Sequence, residues 1–152
     1  MDIESAPAVP EDLLRSHGLQ VTAQRMAVLQ AVSELPHGTA GEIEDAARER
    51  IGSISRQSVY DTLGMLTERG IVRSIQLPDS PTRYETRVGD NHHHFMCRSC
   101  GCVIDVDCDV SGGLDCVTPA EDPRFEVHDV DVIYRGTCRE CRPRHNGPED
   151  LP

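Results

Sequence analysis

"SRQSVYDTLGMLTERGIVRSIQLPDSPTRYET", residues 55–86, places a helical pattern directly before a pair of short strand-like runs. Ser55 stands where an N-cap is expected, since a hydroxyl side chain can accept a backbone N–H of the first turn. Val59, Leu63 and Leu66 follow at i, i+4 and i+7, an apolar stripe along one helix face, and Gly70 is the stop. "IVRSIQL" and "TRYET" then read as strands joined through the turn "PDSP". A helix followed by a two-stranded wing is the layout of a winged helix-turn-helix. Opposite the apolar stripe lie Arg56, Gln57, Tyr60, Asp61 and Gly64. Arginine and glutamine suit guanine and adenine edges, and tyrosine reaches a thymine methyl or a phosphate. A solvated helix face is the plainer reading of the same residues.

Upstream, "EDLLRSHG" predicts a short helix stopped by Gly18. "VTAQRMAVLQAVSELPHG" predicts a second, with Thr22 as N-cap, Val28, Val32 and Leu35 on its stripe and Pro36 ending it. "TAGEIEDAARERIG" predicts a third, apolar at Ile43, Ala46, Ala47 and Ile51 and closed by Gly52. The texture changes near residue 88: before it there is no cysteine and two histidines, after it all seven cysteines and five histidines. "HFMCRSCG" and "CGCVIDVDC" suggest strands around a turn, and "VDVIYRG" a further alternating strand, with a short helix expected near 117–122. The expected class is α+β. Residues 11–87 form a winged-helix domain, 88–142 a small metal-binding α/β domain, and the Pro-rich stretches 1–10 and 143–152 flexible tails.

The composition narrows the function. With 152 residues, 38% hydrophobic and 27% charged, the chain reads as soluble and globular. No apolar run approaches the ~20 residues of a membrane span. The first residues lack the basic and apolar regions of a signal peptide. A cytoplasmic, reducing setting is expected, where cysteines serve metal or redox chemistry rather than a disulfide framework. A net charge of -11 argues against generic nucleic-acid binding, although it leaves room for a local basic surface. Residues 1–87 hold 9 Arg against 13 acids, and residues 88–152 hold 6 against 13. The Cys/His-bearing part is the more acidic, and bound cations would offset some of that.

Cys97-x-x-Cys100 and Cys138-x-x-Cys141 are paired turns separated by 37 residues. Each turn presents two thiolates along one edge of a tetrahedron, so two together complete a structural zinc site. A single such pair would equally suit redox chemistry. Cys102, Cys108 and Cys116 remain, as plain thiols or as redox thiols. In His92-His93-His94, alternation along a strand sends His92 and His94 to one face, where they form a chelate suited to Zn(II), Fe(II) or Mn(II). A solvated strand end is the alternative. Asp105, Glu85 and His37 are candidate further ligands that spacing alone does not select.

These motifs together resemble the ferric uptake regulator (Fur) family, over residues 11–142. "GLQVTAQRMAVLQAV" resembles its second-helix signature, and "PHGTAGEIEDAA" the segment with a metal-binding histidine. "SRQSVYDTLGMLTERGIV" is similar to its recognition helix and the start of the wing. "RYETRVGDNHHHFMCRSCG" resembles the hinge, and "YRGTCREC" the closing turn. "CGCVIDVDC" and "VGDNHHH" look most like the FurA/CatR-type branch, associated with peroxide-responsive repression of catalase-peroxidase genes. The resemblance implies a homodimeric, non-enzymatic repressor that reads palindromic operator DNA. It implies structural zinc on Cys97, Cys100, Cys138 and Cys141, and a regulatory Fe2+, Mn2+ or Zn2+ on His37, Glu85, His92, His94 and Asp105. Tyr60 would meet bases. The chain departs from the family pattern at Asp61, where arginine is common, and at Glu85, where histidine-oxidising sensors have aspartate. Asn91 and Val130 replace histidines of a third site, which is not expected here. Uptake control without redox sensing is the other reading within the family. A zinc enzyme built on His37, His92 and His94 and a zinc-ribbon module without DNA binding are the rivals outside it.

Overall fold

Thr22, Thr39 and Ser55 each start a helix, because each puts a hydroxyl against the unsatisfied N–H groups of the first turn. The Thr22 oxygen accepts from Arg25 N–H at 3.2 Å, and the Ser55 oxygen from Ser58 N–H at 3.1 Å. Thr39 makes a full capping box: Glu42 N–H donates to its hydroxyl, and its own N–H donates to the Glu42 carboxylate at 2.7 Å. The computed structural model describes residues 9–90, 92–107, 122–127 and 130–142. The chain divides into two units between Gly89 and Asp90.

The first unit contains α1 (Pro10–Ser16), α2 (Ala23–Glu34), β1 (Gly38–Thr39), α3 (Ala40–Ile51), α4 (Arg56–Glu68), β2 (Arg73–Ile75) and β3 (Arg83–Glu85). Helix α1 begins at Pro10, inside the stretch expected to be a tail, since proline is tolerated where the N–H has no helical partner. Helix α2 stops at Glu34, two residues before Pro36, as the restriction on pre-proline residues requires. Gly52 and Gly70 follow α3 and α4 with φ of 81° and 69°, a conformation that glycine adopts without strain.

Leu14, Val28, Leu29, Val32, Ile43, Val59, Leu63 and Leu66 are fully or almost fully buried and meet in one aliphatic core. Each such side chain contributes about 1.5–3 kcal/mol by leaving water. Leu35, Ala46 and Ile51, expected on buried stripes, are only half-buried. The wing is a three-stranded sheet ordered β1-β3-β2, not the two-stranded hairpin expected. The added strand pairs Gly38 with Tyr84 and Thr39 with Arg83. Two residues are too few to show a period in sequence.

The second unit is a sheet ordered β5-β4-β6, from β4 (His92–Cys97), β5 (Val103–Asp107) and β6 (Ile133–Gly136). Strands β4 and β5 run antiparallel, with His94 opposite Asp105. Strands β4 and β6 run parallel, with Cys97 beside Gly136. The expected strand "VDVIYRG" narrows to its last four residues. The helix expected near 117–122, Cys108, Cys116 and nearly all of both tails lie outside the described residues. No described helix is long and apolar enough to cross a membrane.

Candidate metal centres and nucleic-acid interface

The parallel register of β4 and β6 brings the two Cys-x-x-Cys turns side by side. Cys97 ends β4, and Cys138 follows β6 by two residues. Gly101 N–H donates to Cys97 O at 3.0 Å and Arg142 N–H to Cys138 O at 3.0 Å, closing each turn on itself. Cys138 N–H donates across to Cys97 Sγ at 3.2 Å. The four sulfurs of Cys97, Cys100, Cys138 and Cys141 lie within 4.8 Å of one another. Cys100 and Cys138 Sγ are 3.8 Å apart. A tetrahedron with bonds of ~2.3 Å has sulfur–sulfur edges of roughly 3.8 Å, so the donor set fits zinc.

The electrostatics of this cluster are uneven. Backbone N–H groups of Cys100 and Cys138 hold the Cys97 thiol down at about 5. The N–H of Cys141 lowers Cys138. The Cys138 and Cys100 sulfurs push Cys141 up to about 12. Cys102 is also pushed up to about 12, first by hydrogen bonding with the Cys100 sulfur, then by burial and by Cys138. Cys102 is not one of the four mutually close sulfurs, though its carbonyl accepts from Cys97 N–H at 2.9 Å.

The three histidines of β4 are buried, not the solvated strand end that the sequence also allowed. His92 and His94 share a face, their rings meeting edge to face with centroids 4.9 Å apart. Both Nε2 atoms turn to one carboxylate, Asp105 Oδ1, at 3.7 Å from His92 and 3.6 Å from His94. His92 Nδ1 lies 2.8 Å from Asp90 Oδ1. Sequence reading missed Asp90; an acid two residues before the histidine run was its only signal. A carboxylate on the outer ring nitrogen fixes the tautomer, so that Nε2 is the atom left to ligate. His93 points to the opposite face, and neither of its buried ring nitrogens has a hydrogen-bond partner among the described residues.

In the first unit the wing assembles a second pair. His37 follows Pro36 with φ of 64°. Its N–H donates to Tyr84 O at 3.0 Å, and its carbonyl accepts from Arg83 Nη1 at 2.9 Å. The ring Nε2 lies 3.2 Å from Glu85 Oε2, both side chains buried. Thus β1 and β3 bring His37 and Glu85 together, as β4 and β5 do for His92, His94 and Asp105. Imidazole nitrogens with carboxylate oxygens are a donor set for Fe(II), Mn(II) or Zn(II).

On α4, Tyr60 is 51% exposed, and Arg56, Gln57 and Asp61 also face solvent. Tyr60 borders a cleft with Gly41, Pro81, Thr82 and Tyr84, between the N-terminus of α3 and the wing. Gln57 Nε2 donates to Asp61 Oδ1 at 2.8 Å. Arg56 Nε donates to Glu44 Oε2 at 3.0 Å, and Arg48 donates to the other oxygen of the same buried carboxylate. The two arginines hold Glu44 below the usual carboxylate range, Arg56 having the larger effect. Glu44 gave no signal in sequence beyond an acid on a helix.

Helices with a wing and an exposed polar face on α4, together with a four-cysteine centre and a buried histidine cluster, are the parts of a metal-responsive transcriptional regulator. Residues 16–135 match the Ferric uptake regulator family. The chain is 47% identical over 139 residues to the transcriptional regulator FurA of Mycobacterium tuberculosis, covering 91% of this chain and 93% of that protein. It is 30% identical over 138 residues to the peroxide operon regulator of Bacillus subtilis, with 89% and 92% covered. A zinc uptake regulator solved with zinc and DNA has the same fold, with a TM-score of 0.64 at 22% identity over 86% of this chain and 89% of that one. The chain belongs to the Ferric uptake regulator family.

Proposed function

We propose that the protein is a homodimeric repressor that binds a palindromic operator when a divalent metal, iron in the first instance, joins its two units. His37 and Glu85 from the first unit and His92, His94 and Asp105 from the second would ligate this ion, while the four cysteines hold structural zinc. The observation that carries the reading is the burial of His92 and His94 against a shared carboxylate, with His37 and Glu85 equally buried in their own unit. Burying such groups is costly unless a partner of opposite charge completes them. Ligands drawn from both units would favour one arrangement of them, which gives the metal differential affinity for the DNA-competent state. Two copies of α4 about a two-fold axis would present Gln57 and Tyr60 to equivalent half-sites.

Likeness to a peroxide operon regulator supports peroxide as the second input, with oxidative-stress genes such as catalase-peroxidase as the targets. Glu85 favours the other reading, iron or zinc uptake control without redox sensing, because histidine-oxidising sensors have aspartate there. The test is a gel shift on the protein's own promoter DNA with Fe2+, Mn2+ or a chelator present, repeated after peroxide treatment of the iron-loaded protein. Metal-dependent retardation abolished by peroxide is expected. Retardation that is metal-dependent but survives peroxide selects uptake control, and retardation indifferent to the chelator overturns the metal-dependent reading.

A further inference from the structure

Gln57 and Asp61 stand one helical turn apart, both exposed on α4, and Gln57 Nε2 donates to Asp61 Oδ1 at 2.8 Å. A carboxylate only accepts hydrogen bonds, so the Gln57 amide turns its NH2 group toward Asp61 and its oxygen away. One N–H is used in this contact. The other N–H and Oε1 remain, a donor and an acceptor side by side on the outer edge of a held amide. An acid on a surface that meets a polyanion costs affinity, so Asp61 needs a use that outweighs its charge. Further along the same face is Gly64, which is exposed. A Cβ there would meet nothing within 4 Å, so no neighbour in the fold demands a glycine inside this helix. Its missing side chain leaves the backbone open to close approach.

In the major groove adenine offers N7, an acceptor, beside the N6 donor, the complement of the free Gln57 edge. Guanine offers two acceptors, thymine one acceptor and a methyl, and cytosine one donor, so each leaves part of that edge unmatched. We propose that Gln57 reads an adenine of the operator and that Asp61 is the positioning residue that sets its amide. Gln57 lies in the first turn of α4, the part of a recognition helix that reaches base edges. Under two-fold symmetry both half-sites carry this adenine at the same place, on opposite strands. The inference deepens the repressor reading and rests on it.

The experiment selects binding sites from a random duplex library with full-length protein carrying zinc and Mn2+. The unaltered chain is compared with Gln57→Ala, Asp61→Asn and the double variant. Both side chains are exposed, so folding and metal content should not change. The unaltered protein is expected to select a palindrome in which one adenine per half-site is favoured about tenfold or more. Gln57→Ala should remove that preference and leave the others. Asp61→Asn, whose amide can donate as well as accept, frees Gln57 to turn over and should cut the same preference several-fold. The double variant should match Gln57→Ala. Placing 7-deazaadenine there, which lacks the N7 acceptor, should weaken the unaltered protein several-fold and Gln57→Ala not at all. Adenine preference unmoved by Gln57→Ala overturns the proposal. So does an Asp61→Asn variant that changes affinity for all sequences equally, or one that loses a cytosine preference at another base pair, where Asp61 itself would be the reader. An unaltered protein that selects no sequence overturns the repressor reading, and this proposal with it.

Discussion

His37 holds a left-handed backbone conformation, rare for a residue with a side chain and costing about 1–3 kcal/mol. Tyr84 and Arg83 secure it on either side, so the wing sets the direction of the His37 ring. Asp90 plays the equivalent part for His92, through one 2.8 Å contact on the outer nitrogen. Replacing Asp90 by Ala should weaken the proposed regulatory ion about 10–100-fold, measured by Mn2+ titration, without altering zinc content. A full loss of zinc in that variant would mean that Asp90 serves the fold instead. The cysteines predict a proton balance. Cys97, held at about 5, is ionised before zinc arrives, whereas Cys141, at about 12, must lose its proton. Zinc uptake at pH 7 should therefore release fewer than four protons, counted by calorimetry in buffers of different ionisation enthalpy. As pH falls through about 5, Cys97 takes up its proton and zinc affinity should drop sharply.

At the scale of elements, α3 and α4 are joined through Glu44, a buried acid shared by Arg48 and Arg56. Arg56 is thus ordered before it meets a partner, and part of its charge is already answered. Glu44→Gln should free it for any phosphate, raising non-specific DNA affinity and steepening the salt dependence by roughly one ion. Unchanged salt slopes in a gel-shift series would show that Arg56 does not face DNA. Because the carboxyl is depressed in the folded chain, its stabilisation is present above the ordinary value of 4.5 and disappears as pH falls below it. The same variant should therefore flatten the acid limb of the unfolding curve. Tyr60→Ala should cost about 1–3 kcal/mol of operator binding with metal content intact.

Helices α2, α3 and α4 were legible from sequence because side-chain caps, apolar period and stop residues agree at each of them; α1, which follows Val9 without a side-chain cap, was marked only by its Gly18 stop. Strand β1 was not, since it is paired through the geometry of His37 rather than through any pattern of its own. Ligand types could be read from spacing. Burial of the whole His92–His94 run could not, because it depends on what packs against a strand whose two edges are taken by β5 and β6.

For the whole molecule, the described helices all lie in the first unit, with their own aliphatic core. The described part of the second unit contains a three-stranded sheet, with Ile104 and Tyr134 exposed on it and Phe125 exposed outside it. Structural zinc contributes about 10–16 kcal/mol in small domains, comparable to a whole domain's stability. Cys138→Ser, or stripping zinc with a strong chelator, should abolish dimerisation while leaving most of the helical circular dichroism. Loss of the helical signal together with the dimer would show that the two units fold as one.

The parallel pairing of β4 with β6 has a consequence during synthesis. The turn at Cys97 and Cys100 closes on itself, through Gly101, as soon as it is made. Its other two sulfurs are encoded about forty residues later, and the ribosome takes roughly 2–8 s to reach them at 5–20 residues per second. Through that interval a nascent chain carries three thiols, Cys97, Cys100 and Cys102, with no second turn to share a metal. Newly made copies are then more exposed to oxidant than mature ones, and a cell under peroxide should lose its capacity to replenish this protein before it loses the copies already assembled.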